Sequence, residues 1–263
     1  MNLLPIEILV GWTPVFILVM FRITGIFIFA PILGSLNIPM RIKALIALAL
    51  AAAVFPIVVQ SGLLSPAVAP TSLWELGWGV AMELLIGLGM GFALMLMFVA
   101  VQLGAELISQ QMALNLGRII DPITGDSTDI VAQFYMMLTT LIYVLINGPA
   151  VMIRALVDTF FQVPLMGARP SEGLLTMFGK LLSTSFSLGV RIAGPALAAI
   201  FLSTLAMGFI SRTMPQLNIL AAGFPLRICL SMAVLIFSIG SVCLLLENYV
   251  VDVLNLVGRL FVV

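Results

Sequence analysis

Three charged side chains lie inside otherwise apolar runs: Arg22, Glu83 and Arg191. A charge near the centre of a membrane costs about 2.5–3.5 kcal/mol on insertion scales, so such a group faces a partner or a cavity. Two chemistries are open to them. One is an ion or proton path; the other is pairing between helices or between subunits. A proton path would want several carboxylates at mid-span, and Glu83 is the only acid within those runs. Structural pairing of Arg22, Glu83 and Arg191 is therefore the expectation. Arg154 and Asp158 stand four apart on a short segment after Pro149. That is ion-pair spacing on one helix face, with Arg first, the weaker order, and it fits a solvated or interfacial pair.

The remaining residues narrow the chemistry further. The chain has no histidine. A Ser–His–Asp triad is thus impossible, and the commonest general base and metal ligand is missing. Asp121, Asp126 and Asp129 lie in a stretch that looks like turn and capping chemistry, without the closely spaced oxygen ligands of a calcium loop. Gly87, Gly89 and Gly91 follow no strand, and no Lys-Ser/Thr closes a phosphate loop. Gly87 and Gly91 instead have the GxxxG spacing that lets a second helix approach closely. Cys229 and Cys243 would lie about 21 Å apart along one helix, far beyond the roughly 7 Å a disulfide allows. No cofactor or metal is expected, and no catalysis.

The elements that must position these residues are apolar helices. Of 263 residues, 62% are hydrophobic and 8% charged, against roughly 25% charged in soluble domains. Eleven basic and eleven acidic residues balance, so there is no basic surface for nucleic acid. Six apolar stretches stand out, at about 12–30, 44–59, 80–103, 130–153, 181–210 and 228–246. Against the roughly 20 residues of a spanning helix the set is irregular. The second runs short into Pro56. The third, counted from Val80 to Gln111, would be about 48 Å long. The fifth is interrupted by Gly194-Pro195, where a proline should kink or break the helix. The N-terminal residues lack a basic region and a cleavage site, so the first run is expected to be retained. The reading is a single all-α unit over residues 1–263.

One stretch is neither apolar nor an ordinary loop. Residues 104–122 begin as a helix, remain amphiphilic through Glu106, Ser109, Gln110 and Gln111, and end in Gly117-Arg118-Ile-Ile-Asp121-Pro122. In so apolar a chain such a segment should face a polar cavity or a partner.

Several blocks recur in a characteristic order. They are Phe21-Arg22 with Ala30-Pro31 and Ile38-Pro39; Glu83-Leu-Leu-Ile-Gly87 with Gly91-Phe92; and Ala105-Glu106-Leu-Ile with Gln111-Met112 and Asp121-Pro122. Then come Asn147-Gly148, Leu156-Val-Asp158-Thr-Phe160 with Pro164, and Met214-Pro215-Gln216-Leu-Asn218 with Gly223-Phe-Pro225. Together they resemble the FliR/SctT family of type III secretion export-gate proteins, leaning to its flagellar branch. Pro149 departs from the family pattern, which often has His there. Ala105 and Ala113 stand where Gly is usual or frequent, which bears on the flexibility of that loop.

The resemblance implies a non-enzymatic subunit whose fold is like a fusion of the FliP and FliQ folds. It implies helical hairpins assembled with FliP and FliQ homologues into a closed pore, much of it above the bilayer plane. FlhB and FlhA would be further partners, membrane lipid its surroundings, and unfolded flagellar proteins its transient substrates. The place implied is the flagellar basal body in the bacterial inner membrane. A plug across the channel would map to Glu106, Gln110, Gln111, Met112, Ala113, Leu114, Asn115, Leu116, Gly117, Arg118, Asp121 and Pro122, most closely to Gln110–Gly117. Two alternatives remain at this stage. One is an injectisome member of the same family. The other is a small-solute transporter with its site at Arg191 and a helix broken at Gly194-Pro195, although the first half holds no matching broken helix.

Overall fold

A computed structural model describes residues 4–35, 38–60, 70, 72–112, 130–167, 173–214 and 219–260. Among these, every regular element is an α-helix, as a chain must be when lipid offers its backbone no hydrogen-bond partners and it does not close a barrel. The helices are α1 (Leu4–Phe29), α2 (Met40–Gln60), α3 (Leu73–Gln111), α4 (Ile130–Leu145), α5 (Gly148–Gln162), α6 (Gly173–Thr213) and α7 (Ile219–Leu260). The all-α expectation is met. Five of the described helices are long and apolar enough to cross a membrane, and α4 with α5 forms a sixth span if that bent pair counts as one.

The irregularities fall in particular places. α3 has 39 residues, about 58 Å at the α-helical rise, so it outruns a hydrocarbon core of roughly 30 Å. α2 starts earlier than hydrophobicity alone suggests, because its first turn carries Arg41 and Lys43. Lys43 Nζ turns back to donate to the carbonyl of Gly34, at 2.9 Å. The fifth apolar run differs from expectation: α6 is continuous from Gly173 to Thr213 with Pro195 inside it. Proline removes one amide donor, and a membrane helix tolerates that loss when local adjustments satisfy the freed carbonyl. The break occurs in the fourth run instead. Asn147 takes the left-handed conformation at φ 56°, which Asn tolerates better than most residues. Pro149 then starts α5, so the fourth apolar run is two helices and not one.

Two compact units are distinguishable, one of residues 1–96, 147–181 and 250–263, the other of residues 97–146 and 182–249. The division passes through α3, α6 and α7.

The first unit is built on a close helix pair. A Cβ added at Gly25 would lie 2.6 Å from the Leu84 carbonyl oxygen, and one at Gly91 2.7 Å from that of Ile26. A Cβ at Gly87 would collide with the Arg22 carbonyl. Leu18 meets Gly79, Arg22 meets Gly87, and Ile26 and Ala30 meet Gly91. The contacts advance together along both helices, so α1 and α3 run parallel. α2 packs antiparallel to α1, since Phe55 meets both Trp12 and Phe16 edge-on while Lys43 reaches Gly34 at the other end.

In the second unit, Gly104 of α3 and Gly189 of α6 make a second close approach. A Cβ at Gly104 would lie 2.7 Å from the Gly189 oxygen, and one at Gly189 2.7 Å from that of Ala100. Phe98 packs edge-on to Tyr143 of α4. Ser185 and Tyr249 join α6 to α7 through a buried hydrogen bond of 2.6 Å. Both cysteines are free.

Candidate functional site

The polar centre of the first unit is Arg22. It sits on α1 with none of its surface exposed, facing an equally enclosed Glu83 on α3. Arg22 Nε donates to Glu83 Oε2 at 2.5 Å. Nη1 donates to the Thr159 carbonyl at 3.1 Å, and both terminal nitrogens donate to the Val163 carbonyl at 3.2 Å. The guanidinium carbon lies 4.3 Å from the centre of the Phe160 ring, a cation–π distance.

These partners follow from how α5 ends. The last carbonyls of a helix have no intrahelical donor and form the negative end of its dipole. No basic residue occupies the last turn of α5 itself. Arg22 supplies that charge from another helix, bonding the carbonyls of Thr159 and of the C-cap residue Val163. Glu83 uses its second oxygen to accept the amide of Met166, at 3.1 Å. Met166 has φ 60°, in the turn closed by the Gly167 amide on the Pro164 carbonyl. One ion pair thus fastens α1, α3, the end of α5 and the turn that follows it. Burying two charges is costly unless their remaining donors and acceptors are met, and here backbone carbonyls, an amide and an aromatic face meet them. Glycine at position 87 is required for this geometry, because a side chain there would push the Arg22 backbone away.

The three charges grouped by sequence therefore part company. Arg22 and Glu83 are joined. Arg191 lies on α6, in the second unit, and is exposed. Arg154 and Asp158 are exposed on α5. Thr159, Phe160, Val163 and Met166 were not singled out as partners from sequence. A usable signal existed: a buried Arg needs several acceptors, and Pro164 just after an apolar helix marks unpaired carbonyls nearby.

Of the segment at 104–122, the first part is helical. Glu106 is half-buried and accepts from Gln102 at 3.1 Å, one turn earlier on α3. Gln110 and Gln111 are exposed, and Met112 is buried with its amide on the Ile108 carbonyl. Ala113, Leu114, Asn115, Leu116, Gly117, Arg118, Asp121 and Pro122 lie outside the described residues, as do Asp126 and Asp129.

A family model described as bacterial export proteins, family 1, matches residues 13–253. The chain belongs to that family. Similar bacterial export proteins include the flagellar biosynthetic protein FliR of Escherichia coli K12, 27% identical over 94% of this chain and 93% of its own length. The protein of the same name from Bacillus subtilis 168 is 28% identical over 89% of this chain and 90% of its own. That of Caulobacter vibrioides is 29% identical over 86% and 89%. The junction gives this family resemblance a physical basis. Three blocks that carry it, at residues 21–22, 83–91 and 156–164, are far apart in sequence and converge on Arg22.

Proposed function

We propose that this bacterial export protein is a non-enzymatic subunit of the flagellar type III export gate, forming part of the closed pore for unfolded flagellar proteins. The observation that carries this is the match along almost the whole chain to relatives named as flagellar biosynthetic proteins, by a chain whose helices can cross a membrane. Its place is the flagellar basal body in the inner membrane. FliP and FliQ homologues share the pore, with FlhB and FlhA beside it. The Arg22–Glu83 junction keeps the helices of the first unit in register, and Arg191, exposed in an apolar helix, pairs with a neighbouring subunit. The transporter reading loses its support, because it needed a helix broken at Gly194-Pro195 and α6 runs through that site. Tagged chain extracted from its own membranes should give a hetero-oligomer by native mass spectrometry. A monomer or homodimer free of FliP and FliQ homologues overturns the proposal, and injectisome-type partners would move the chain to the other branch of the family.

The stretch from Glu106 to Pro122 acts as the plug. Its described part includes the end of α3, where the polar residues Gln110 and Gln111 are exposed. Deleting Gln110–Gly117 is expected to make membranes carrying the assembled complex leak ions. Conductance unchanged from that of the intact complex would remove the plug from this position.

A further inference from the structure

The connection after α1 is wound more tightly than its residues favour. The Leu33 amide donates to the Pro31 carbonyl at 2.7 Å, closing a γ-turn around a single residue, Ile32. Ile32 has φ 67°, so this is the positive-φ form of the turn, which is rare and strained. Its side chain adds to the strain, because a β-branched residue at positive φ is a genuine outlier. Asn147 and Met166 also have positive φ, but neither is branched at Cβ. Such strain persists only where the surrounding structure over-determines it.

Two holds converge on this turn. The first is the end of α1. Pro31 has no amide with which to continue the helix. Ala30 is buried beside Gly91 of α3, where an added Cβ would lie 3.4 Å from the Ala30 nitrogen and 3.2 Å from Phe29 Cβ. The second hold is Gly34. Its amide donates to the Ala30 carbonyl at 2.7 Å. A Cβ there would lie 2.7 Å from that same oxygen, so the chain folds back onto its own helix end. The Gly34 carbonyl accepts from Lys43 Nζ at 2.9 Å. Residues 31–33 must close the short path between these points, with Ile32 at the apex. The two holds differ in kind. Ala30 is backbone packed closely on another helix. Lys43 contributes one side-chain hydrogen bond from a lightly held part of α2: no residue from Met40 to Ile46 is buried, and Ala47 is the first that is.

We infer that the turn between α1 and α2 is a conformational latch with Lys43 as its clasp. Lys43 holds Ile32 in the strained conformation. When Lys43 lets go, Ile32 returns to negative φ, the γ-turn opens and the exposed start of α2 moves, while α1 stays against α3. The strain gives this release its direction, since it opposes the closed turn and not the open one. Glycine at position 32 would remove that bias, because it adopts positive φ without a steric penalty. The latch rests on the packing of the first unit alone and not on the export gate.

The test reads the backbone at position 32, using thermal unfolding of the full chain in detergent. Ile32→Gly and Ile32→Ala both remove the branched side chain, so the difference between them reports φ and not lost packing. Alanine is the more stable of the two at negative φ, and glycine at positive φ. With Lys43 in place, Ile32→Gly should unfold about 2–4 °C above Ile32→Ala. In a Lys43→Met background the difference should vanish or reverse, because the turn is already open. Alanine equal to or above glycine in the presence of Lys43 overturns the strained turn. Glycine above alanine by the same margin with and without Lys43 overturns the latch. Hydrogen exchange gives a measure that does not depend on unfolding. The Leu33 and Gly34 amides are bonded in the closed turn and should exchange about tenfold faster in Lys43→Met than in the unaltered chain, with α1 protected as before. Unchanged exchange at these two amides, or protection lost throughout α1, counts equally against the latch. None of these readings depends on which proteins co-purify, so the gate and the latch can fail separately.

Discussion

Glu83→Ala is expected to destabilise the chain by about 3–5 kcal/mol, the usual cost of leaving a buried charge without its partner. Arg22 would keep its carbonyl contacts to Thr159 and Val163 but lose its only counter-charge within the junction. The Met166 amide would lose its acceptor as well. Thermal unfolding of the purified chain in detergent should show a large drop in Tm, with little protein accumulating in membranes. Removing both charges tells more than removing one. Arg22→Met with Glu83→Leu should recover much of the loss, since apolar replacement of a buried pair is often neutral or better. Recovery will be incomplete, because the end of α5 then has no donor from α1. Arg191→Gln makes the contrasting case. An exposed residue contributes little to the fold of its own chain, so Tm should stay put while the yield of the hetero-oligomer falls. A Glu83→Ala chain with unaltered Tm, fully assembled and lacking only secretion, would show that Glu83 serves a transport step instead.

Gly87→Leu should be comparably damaging, by a different route. A side chain at position 87 is directed at the Arg22 carbonyl, with Gly25 Cα close by. These are backbone atoms and cannot rotate aside. α1 and α3 must separate, at a cost of about 3 kcal/mol, the upper part of the ordinary overpacking range. The separation also draws Arg22 away from Glu83, so the two variants share a consequence and should combine less than additively. Gly89→Leu is the internal control: a Cβ there meets nothing within 4 Å. Comparing membrane accumulation of the two variants checks the claim. Equal behaviour would mean that α1 and α3 do not pack as closely as described.

Much of the fold was legible from local sequence. Apolar runs with few charges mark helices, because an apolar stretch of that length has few other stable conformations in lipid. Their ends were less legible. Arg41 and Lys43 look like a connector by hydrophobicity, yet they form the first turn of α2, where one finds a carbonyl and the other can face polar surroundings. Gly194-Pro195 looks like a break and is not one, while Asn147 is, because a bend depends on whether neighbouring groups satisfy the freed backbone. The residue pair 87 and 91 announced a close approach by its spacing, but nothing local could name α1 as the helix that approaches.

By itself, the sequence determined that this chain is a bundle of apolar helices, that it holds no histidine, and that charges at 22, 83 and 191 had to be accounted for. Its blocks also determined the family. Only the tertiary structure decided which charges meet. Arg22 finds Glu83 sixty-one residues away and the end of α5 more than 130 residues away, whereas Arg191 lies exposed in the other unit. The reason is physical: helix formation is local and written in composition and period, whereas satisfying a buried guanidinium takes acceptors from several helices at once. Those acceptors are backbone carbonyls, which every residue carries; Pro164 can mark where some go unpaired, but no local pattern names the helix whose guanidinium they meet.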